Sequence, residues 1–219
     1  MMNETNSVTQ QNVAMLLLMG GKSSRMGTSK AVLTYEGIPF WKRIATEMES
    51  CGPLYLSVAR IPRMGEAPEK VSPWAASVWQ QLHEHRLVED VVEAVGPMGG
   101  ILSAMEQITE DAFFVCACDM PFMNRDYIRL LSDIWRQITV EGEWDALMVR
   151  NADGRIYTTT GIYSKRLADQ FRRRIADGNY RMMALLRENR VYYLEEESLG
   201  EARKALENVN TMEEYKRLV

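Results

Sequence analysis

The 219 residues are 46% hydrophobic and 26% charged, a composition that can bury a domain-sized core and excludes disorder of the whole chain. Lys and Arg number 26 against 30 Asp and Glu, a formal net charge of -4, so no global positive field gathers nucleic acid or an anionic membrane, and any anionic ligand must be caught locally. The longest apolar run, 13–19, is far short of the roughly 20 residues that span a bilayer, and no basic stretch precedes an apolar one with a cleavage site, so a cytoplasmic protein is expected.

Residues 1–12 are polar and aperiodic and read as a disordered leader, with one domain over 13–219. From Val13 onward, apolar runs of strand length alternate with longer segments of helical period, the pattern of βαβ units and a mostly parallel sheet. Strands are expected near 13–19, 54–59, 86–89, 112–118, 144–149, 156–163 and 190–194. Helices are expected over 39–50, 99–108, 124–138, 164–175 and 180–188; Ile128, Leu131, Ile134, Trp135 and Ile138 show the spacing best. Between 61 and 85, Pro62, Pro68 and Pro73 interrupt any period, while Trp74, Val78, Trp79 and Leu82 suggest one amphipathic helix. Asp153-Gly154 reads as a hairpin turn, which adds an antiparallel pair to the sheet. Thr211 and Glu214 have the capping-box spacing ahead of Tyr215 and Leu218 and predict a short final helix. Cys51, Cys116 and Cys118 lack paired C-x-x-C spacing and read as reduced structural thiols; His83 and His85 read as surface side chains, since two ligands make an incomplete metal site.

Three stretches carry chemistry. Directly after the first strand, residues 20–30 hold Gly20, Gly21, Gly27, two adjacent serines, Lys22, Arg25 and Lys30, the ingredients of a loop that presents N–H groups and cations to phosphate. The same residues also fit a surface turn with solvated cations. Asp119 ends the apolar run Phe113-Phe114-Val115-Cys116-Ala117-Cys118 and precedes Met120-Pro121, so it belongs at a strand's C-terminal edge. A lone carboxylate there suits Mg²⁺ bound to a nucleotide phosphate, or serves as a turn residue. Cys116 and Cys118 share one side of that strand and belong to the core. Gly96-Pro97-Met98-Gly99-Gly100-Ile101 opens a helix whose first N–H groups are free to meet an anion, or whose glycines serve only a tight connection; Asp90, just before, faces that crevice or solvent.

In this order the three stretches resemble the molybdenum cofactor guanylyltransferase family within the α/β nucleotidyltransferases. Leu18-Met19-Gly20-Gly21-Lys22-Ser23-Ser24-Arg25-Met26-Gly27-Thr28-Ser29-Lys30 is similar to the family's L-A-G-G-x-S-x-R-M-G-x-D-K. Glu89-Asp90, Gly96-Pro97-Met98-Gly99-Gly100-Ile101-Leu102, Cys118-Asp119-Met120-Pro121-Phe122 and Asn208-Val209-Asn210-Thr211 resemble its E-D, G-P-L-A-G-[IM]-L, C-D-[MT]-P-[FY] and N-[IV]-N-T. Met19, Ser29 and Ser57 stand where the family carries Ala, Asp and often Asn, and Tyr157-Thr158-Thr159-Thr160 replaces a frequent Pro.

The resemblance implies an α/β fold, a single-domain Rossmann-like three-layer sandwich of the nucleotide-diphospho-sugar transferase type. It implies a Mg²⁺-dependent enzyme that passes GMP from GTP to the terminal phosphate of molybdenum-loaded molybdopterin. Arg25 and Lys30 would hold the β- and γ-phosphates and Asp119 the Mg²⁺. Leu18, Met19, Gly20, Gly21, Ser57, Asp90 and Gly100 would line the nucleotide, and Asn210 would touch nucleotide or metal. The implied partners are GTP and molybdopterin, with transient contact to molybdoenzymes or their chaperones, and neither nucleic acid nor membrane. The alternatives are the same chemistry with CTP or a sugar phosphate, and a catalytically silent nucleotide-binding regulator.

Overall fold

In the computed structural model the described residues are 12–19, 30–63, 66–67, 78–92 and 95–219. At the centre lies strand β1 (Val13–Leu18), all six residues buried because helices cover both faces of its sheet. Side-chain alternation sends Val13, Met15 and Leu17 into one apolar cluster and Ala14, Leu16 and Leu18 into the other. The other strands are β2 (Thr34–Tyr35), β3 (Ile38–Pro39), β4 (Leu54–Val58), β5 (Arg86–Glu89), β6 (Ala112–Ala117), β7 (Ala146–Arg150), β8 (Thr160–Ser164) and β9 (Val191–Glu195). Seven of them form one sheet in the order β5-β4-β1-β6-β8-β7-β9, and β2 and β3 form a separate hairpin. Every pairing in the large sheet is parallel except those of β8, which runs antiparallel to both β6 and β7.

Against one face pack α1 (Phe40–Glu49), α2 (Trp79–Leu82), α4 (Arg125–Glu141) and a 3-10 run, Glu196–Leu206; their Trp41, Ile44, Leu82, Leu131, Trp135 and Leu206 join Met15 and Leu17. On the other face lie α3 (Pro97–Gln107), α5 (Ala168–Ala176) and α6 (Met182–Arg187), through Met98, Ile101, Met105, Phe171 and Leu185. Helix α7 (Met212–Leu218) sits apart, its Met212, Tyr215 and Leu218 packed on Leu33, Phe40 and Val209. A mostly parallel sheet results, as the alternating pattern predicts, in the three layers that the resemblance implies. No helix among the described residues is long and apolar enough to cross a membrane.

Several boundaries differ from the sequence reading. The strand expected from 156 begins at Thr160, because Tyr157 N donates to Val149 O (3.0 Å) and Ile156 bridges Arg150, so the chain folds back along β7 before entering the sheet. The turn itself is where Asp153-Gly154 places it, with Gly154 at φ 77° and its N–H on Asn151 O. The helix expected from 164 is split: Ser164 accepts a hydrogen bond from Arg166 N and caps a 3-10 turn, Lys165–Leu167, ahead of α5. Of the helix expected around Trp74, the part in the described residues is α2; Trp74 lies outside them. His83 is exposed, but His85 is half-buried, its ring 5.7 Å from Trp41 and Nδ1 2.9 Å from the Glu49 carboxylate. The β2-β3 hairpin and the 196–206 run were not predicted. The first turns through Glu36 (φ 52°) and Gly37 (φ 78°), and its strands are too short to show a period.

Candidate active site

The C-terminal ends of β5, β4, β1 and β6 are adjacent, so residues that follow these strands share one edge of the sheet. Their outer pair is separated by roughly 14 Å, three interstrand spacings, and ligands of open α/β sheets bind at such an edge. Of the predicted site residues, Gly20, Gly21 and Arg25 lie outside the described residues. Leu18 and Met19 are buried; Cys118 N donates to Leu18 O (3.2 Å) and Met19 N to Ser57 O (3.0 Å), so the strand ends are laced together. Both side chains belong to the core, which leaves only their backbone for a ligand.

Lys30, Asp119 and Asn210 meet at this edge from three distant parts of the chain. Lys30 opens a 3-10 turn, Lys30–Val32, anchored by the buried Ala31, and its ammonium donates to Asp119 Oδ2 at 2.9 Å and to Asn210 Oδ1 at 2.7 Å. The Lys30 and Asp119 side chains retain only 17% and 22% of their exposure, so water screens the pair incompletely. Val209 N donates to Asp119 O (2.9 Å), tying the C-terminal segment to the loop after β6. Thr211 then caps α7 in a complete capping box, and Glu214 accepts from both Thr211 N (3.1 Å) and Asn210 N (2.6 Å). Those N–H groups, first that of Asn210, hold the Glu214 carboxyl below its usual range, with further help from Lys30 and Arg217.

A second cluster joins Ser57, Asp90 and Gly100. Ser57, 2% exposed in β4, donates its hydroxyl to Asp90 Oδ1 at 2.8 Å, while Asp90 N donates to Val58 O. A Cβ on Gly100 would lie 2.4 Å from Ser57 Oγ and 2.9 Å from Leu18 Cδ2, so the absent side chain is what lets α3 approach β1 and β4. This packing accounts for the missing side chain at Gly100.

A family model described as MobA-like NTP transferase domain matches residues 15–192. The chain belongs to this family. A protein of Bacillus cytotoxicus named "Probable molybdenum cofactor guanylyltransferase" is 26% identical over 213 residues, 95% of this chain and 97% of its own. One of the same name from Aquifex aeolicus is 28% identical over 203 residues, 93% and 88% of the two chains. The crystal structure of molybdopterin-guanine dinucleotide biosynthesis protein A from Archaeoglobus fulgidus superposes with a TM-score of 0.76 at 20% identity, covering 94% and 96%, which shows a shared fold.

Within this MobA-like NTP transferase domain Cys116 and Cys118 belong to the core, while Cys51 is half-buried against it. Cys116 and Cys118 lie in the same core cluster as Phe114 and Tyr127, and burial, followed by the Asp119 charge, pushes the Cys118 thiol up to about 12 and raises that of Cys116 as well. What sequence reasoning missed is Glu214 as a hold on Asn210. The capping-box spacing was the available signal, but it marks a helix start and does not say that the carboxylate also takes the preceding N–H.

Proposed function

We propose that this nucleotidyltransferase passes GMP from GTP to the terminal phosphate of molybdenum-loaded molybdopterin, giving molybdopterin guanine dinucleotide and pyrophosphate. The observation that carries the reading is the convergence of Lys30, Asp119 and Asn210 at the C-terminal edge of the sheet. The name borne by relatives that match this chain over nearly its whole length supports the choice of nucleotide and acceptor. A phosphate oxygen of the acceptor forms a bond to the α-phosphorus, and the bond from that phosphorus to the bridging oxygen breaks, its electron pair leaving with pyrophosphate. The acceptor phosphate is already a competent nucleophile, so the chain needs no general base. Its task is to position two anions and offset their charge.

Lys30 presents an ammonium to the β- and γ-phosphates, and Arg25, assigned from the sequence alone, adds a guanidinium from the first loop. Asp90, its carboxylate oriented by Ser57, faces the nucleoside as a hydrogen-bond acceptor. The donor set fits Mg²⁺: Asp119 and Asn210 already turn hard oxygens onto a positive charge. An ion of this kind takes one or two carboxylates from the protein and completes its shell with water and phosphate. Mg²⁺ held by Asp119 would neutralise charge on the phosphates as the transition state forms.

Purified protein supplied with molybdenum-loaded molybdopterin, Mg²⁺ and either GTP, CTP or ATP provides the test. Guanine dinucleotide and pyrophosphate are expected with GTP. Preferred turnover of CTP reassigns the nucleotide, turnover with a sugar phosphate in place of the pterin reassigns the acceptor, and nucleotide binding without pyrophosphate release makes the chain a regulator.

A further inference from the structure

Lys30 Nζ rests between Asp119 Oδ2 and Asn210 Oδ1, at 2.9 and 2.7 Å, the same two oxygens that suit a divalent ion. We propose that Lys30 is an internal cation that keeps the metal site closed until a nucleotide draws it away, so that the divalent ion enters with the nucleotide and not ahead of it. The inference rests on the nucleotidyl-transfer reading and adds to it an order of binding.

The cradle is anchored and the lysine stem is the part able to swing. Asp119 is held through its carbonyl by Val209 N, and Asn210 through its N–H by Glu214. Lys30 is fixed at its backbone, where Leu33 N donates to its carbonyl (3.2 Å) and Ala31 is fully buried, while four methylenes separate that backbone from the ammonium. A tethered ammonium competes for Asp119 at an effective concentration that free metal in solution must overcome. Charge points the same way. Lys30 and Asp119 neutralise each other, and a divalent ion arriving alone would sit beside an ammonium and share Asp119 with it, in a place only partly open to water. A triphosphate brings anionic oxygens for the ammonium and further ligands for the ion, so that both cations are satisfied together. Metal and nucleotide then raise each other's affinity by the same factor.

Mn²⁺ is the probe. Its binding to the folded chain, without nucleotide, is measured by the electron paramagnetic resonance of the free ion for wild type, Lys30→Met and Lys30→Gln, with melting temperatures as a check on folding. GTP affinity is measured in Mn²⁺ and in chelator. Wild type is expected to bind Mn²⁺ weakly, and Lys30→Met and Lys30→Gln at least tenfold more tightly, because the ammonium that holds Asp119 is gone. The gain in GTP affinity on adding Mn²⁺ is expected to be smaller in Lys30→Met than in wild type. Mn²⁺ binding by Lys30→Met that equals or falls below that of wild type overturns the proposal. If that variant does not fold, Lys30→Gln decides alone: Mn²⁺ binding equal to or below that of wild type overturns the proposal too. A separate result, folded wild type that binds GTP neither with Mn²⁺ nor with chelator, defeats the nucleotidyl-transfer reading itself.

Discussion

Around Ser57 the hydroxyl is buried and its partner Asp90 half-buried, the two joined across neighbouring strand ends and held in place by a helix that comes close because Gly100 has no side chain. Around Lys30 the polar atoms are partly exposed, drawn from residues 89 and 180 positions apart, and held by a salt bridge and an amide. The two clusters share one edge of the sheet, yet the first is set by packing and the second by charge. Packing is costly to disturb and changes little with conditions, whereas partly exposed charge can be moved by a ligand at small cost to the fold. A site that must select a nucleoside and also pass phosphates through a changing charge distribution has use for both.

The largest effect separating the clusters is expected on turnover. Asp119→Asn keeps the side chain's size but removes the anion, so turnover should fall by about 10² or more, since each 1.36 kcal/mol of lost transition-state stabilisation is about tenfold. The melting temperature should move little, because the pair it breaks is partly exposed. Wild-type turnover at the same Mg²⁺ concentration would make Asp119 a turn residue.

Gly100→Ala should do the reverse. The added methyl meets Ser57 Oγ and Leu18 Cδ2, both on buried strands, and overpacking of this kind costs about 1–3 kcal/mol, readable as a shifted denaturation midpoint. Combining it with Ser57→Ala should recover part of that loss, because the closest obstruction is gone; strictly additive losses would place the strain elsewhere.

Ser57→Ala alone loosens the Asp90 carboxylate without touching its charge. A hydrogen bond of this type contributes about 1 kcal/mol, so GTP affinity should weaken about fivefold in calorimetric titration, with little change in its Mg²⁺ dependence. An altered Mg²⁺ dependence would mean that the two clusters are not separate.

The smallest effect is in acid. The Glu214 carboxyl is held below its ordinary value of 4.5 in the folded chain, first by Asn210 N. A depressed carboxyl adds stability that is fully present above the unfolded value and lost as pH falls through the folded one. Below about pH 4.5 the melting temperature of wild type should therefore fall more steeply than that of Glu214→Gln, and parallel curves would remove this carboxylate from the network.

The strand over 13–18 was legible because six consecutive apolar residues suit a position covered on both faces, and α4 because Ile128, Leu131 and Trp135 recur at helical spacing. Asp119 could be placed at a strand end for the same reason, as the first carboxylate after a continuous apolar run. Local pattern is sufficient where one element buries a whole face, since the periodicity is then written into consecutive residues. The hairpin at 34–39 and the 3-10 run at 196–206 were not legible, because two-residue strands and a helix broken at Gly200 (φ 54°) carry no period.

By itself the sequence determined the mostly parallel sheet, the turn at Gly154, the cap at Thr211 and the positions of Asp119 and Asp90 at strand ends, all consequences of spacing along the chain. Only the tertiary structure decided that Lys30 spans Asp119 and Asn210, that Ser57 is spent on Asp90, and that Gly100 is a glycine of close packing. These depend on strand order, which brings β5, β4, β1 and β6 side by side, and on the return of the C-terminal segment to Asp119 through Val209. A contact between residues 180 positions apart leaves no periodic trace, because it arises only when every intervening element has been packed.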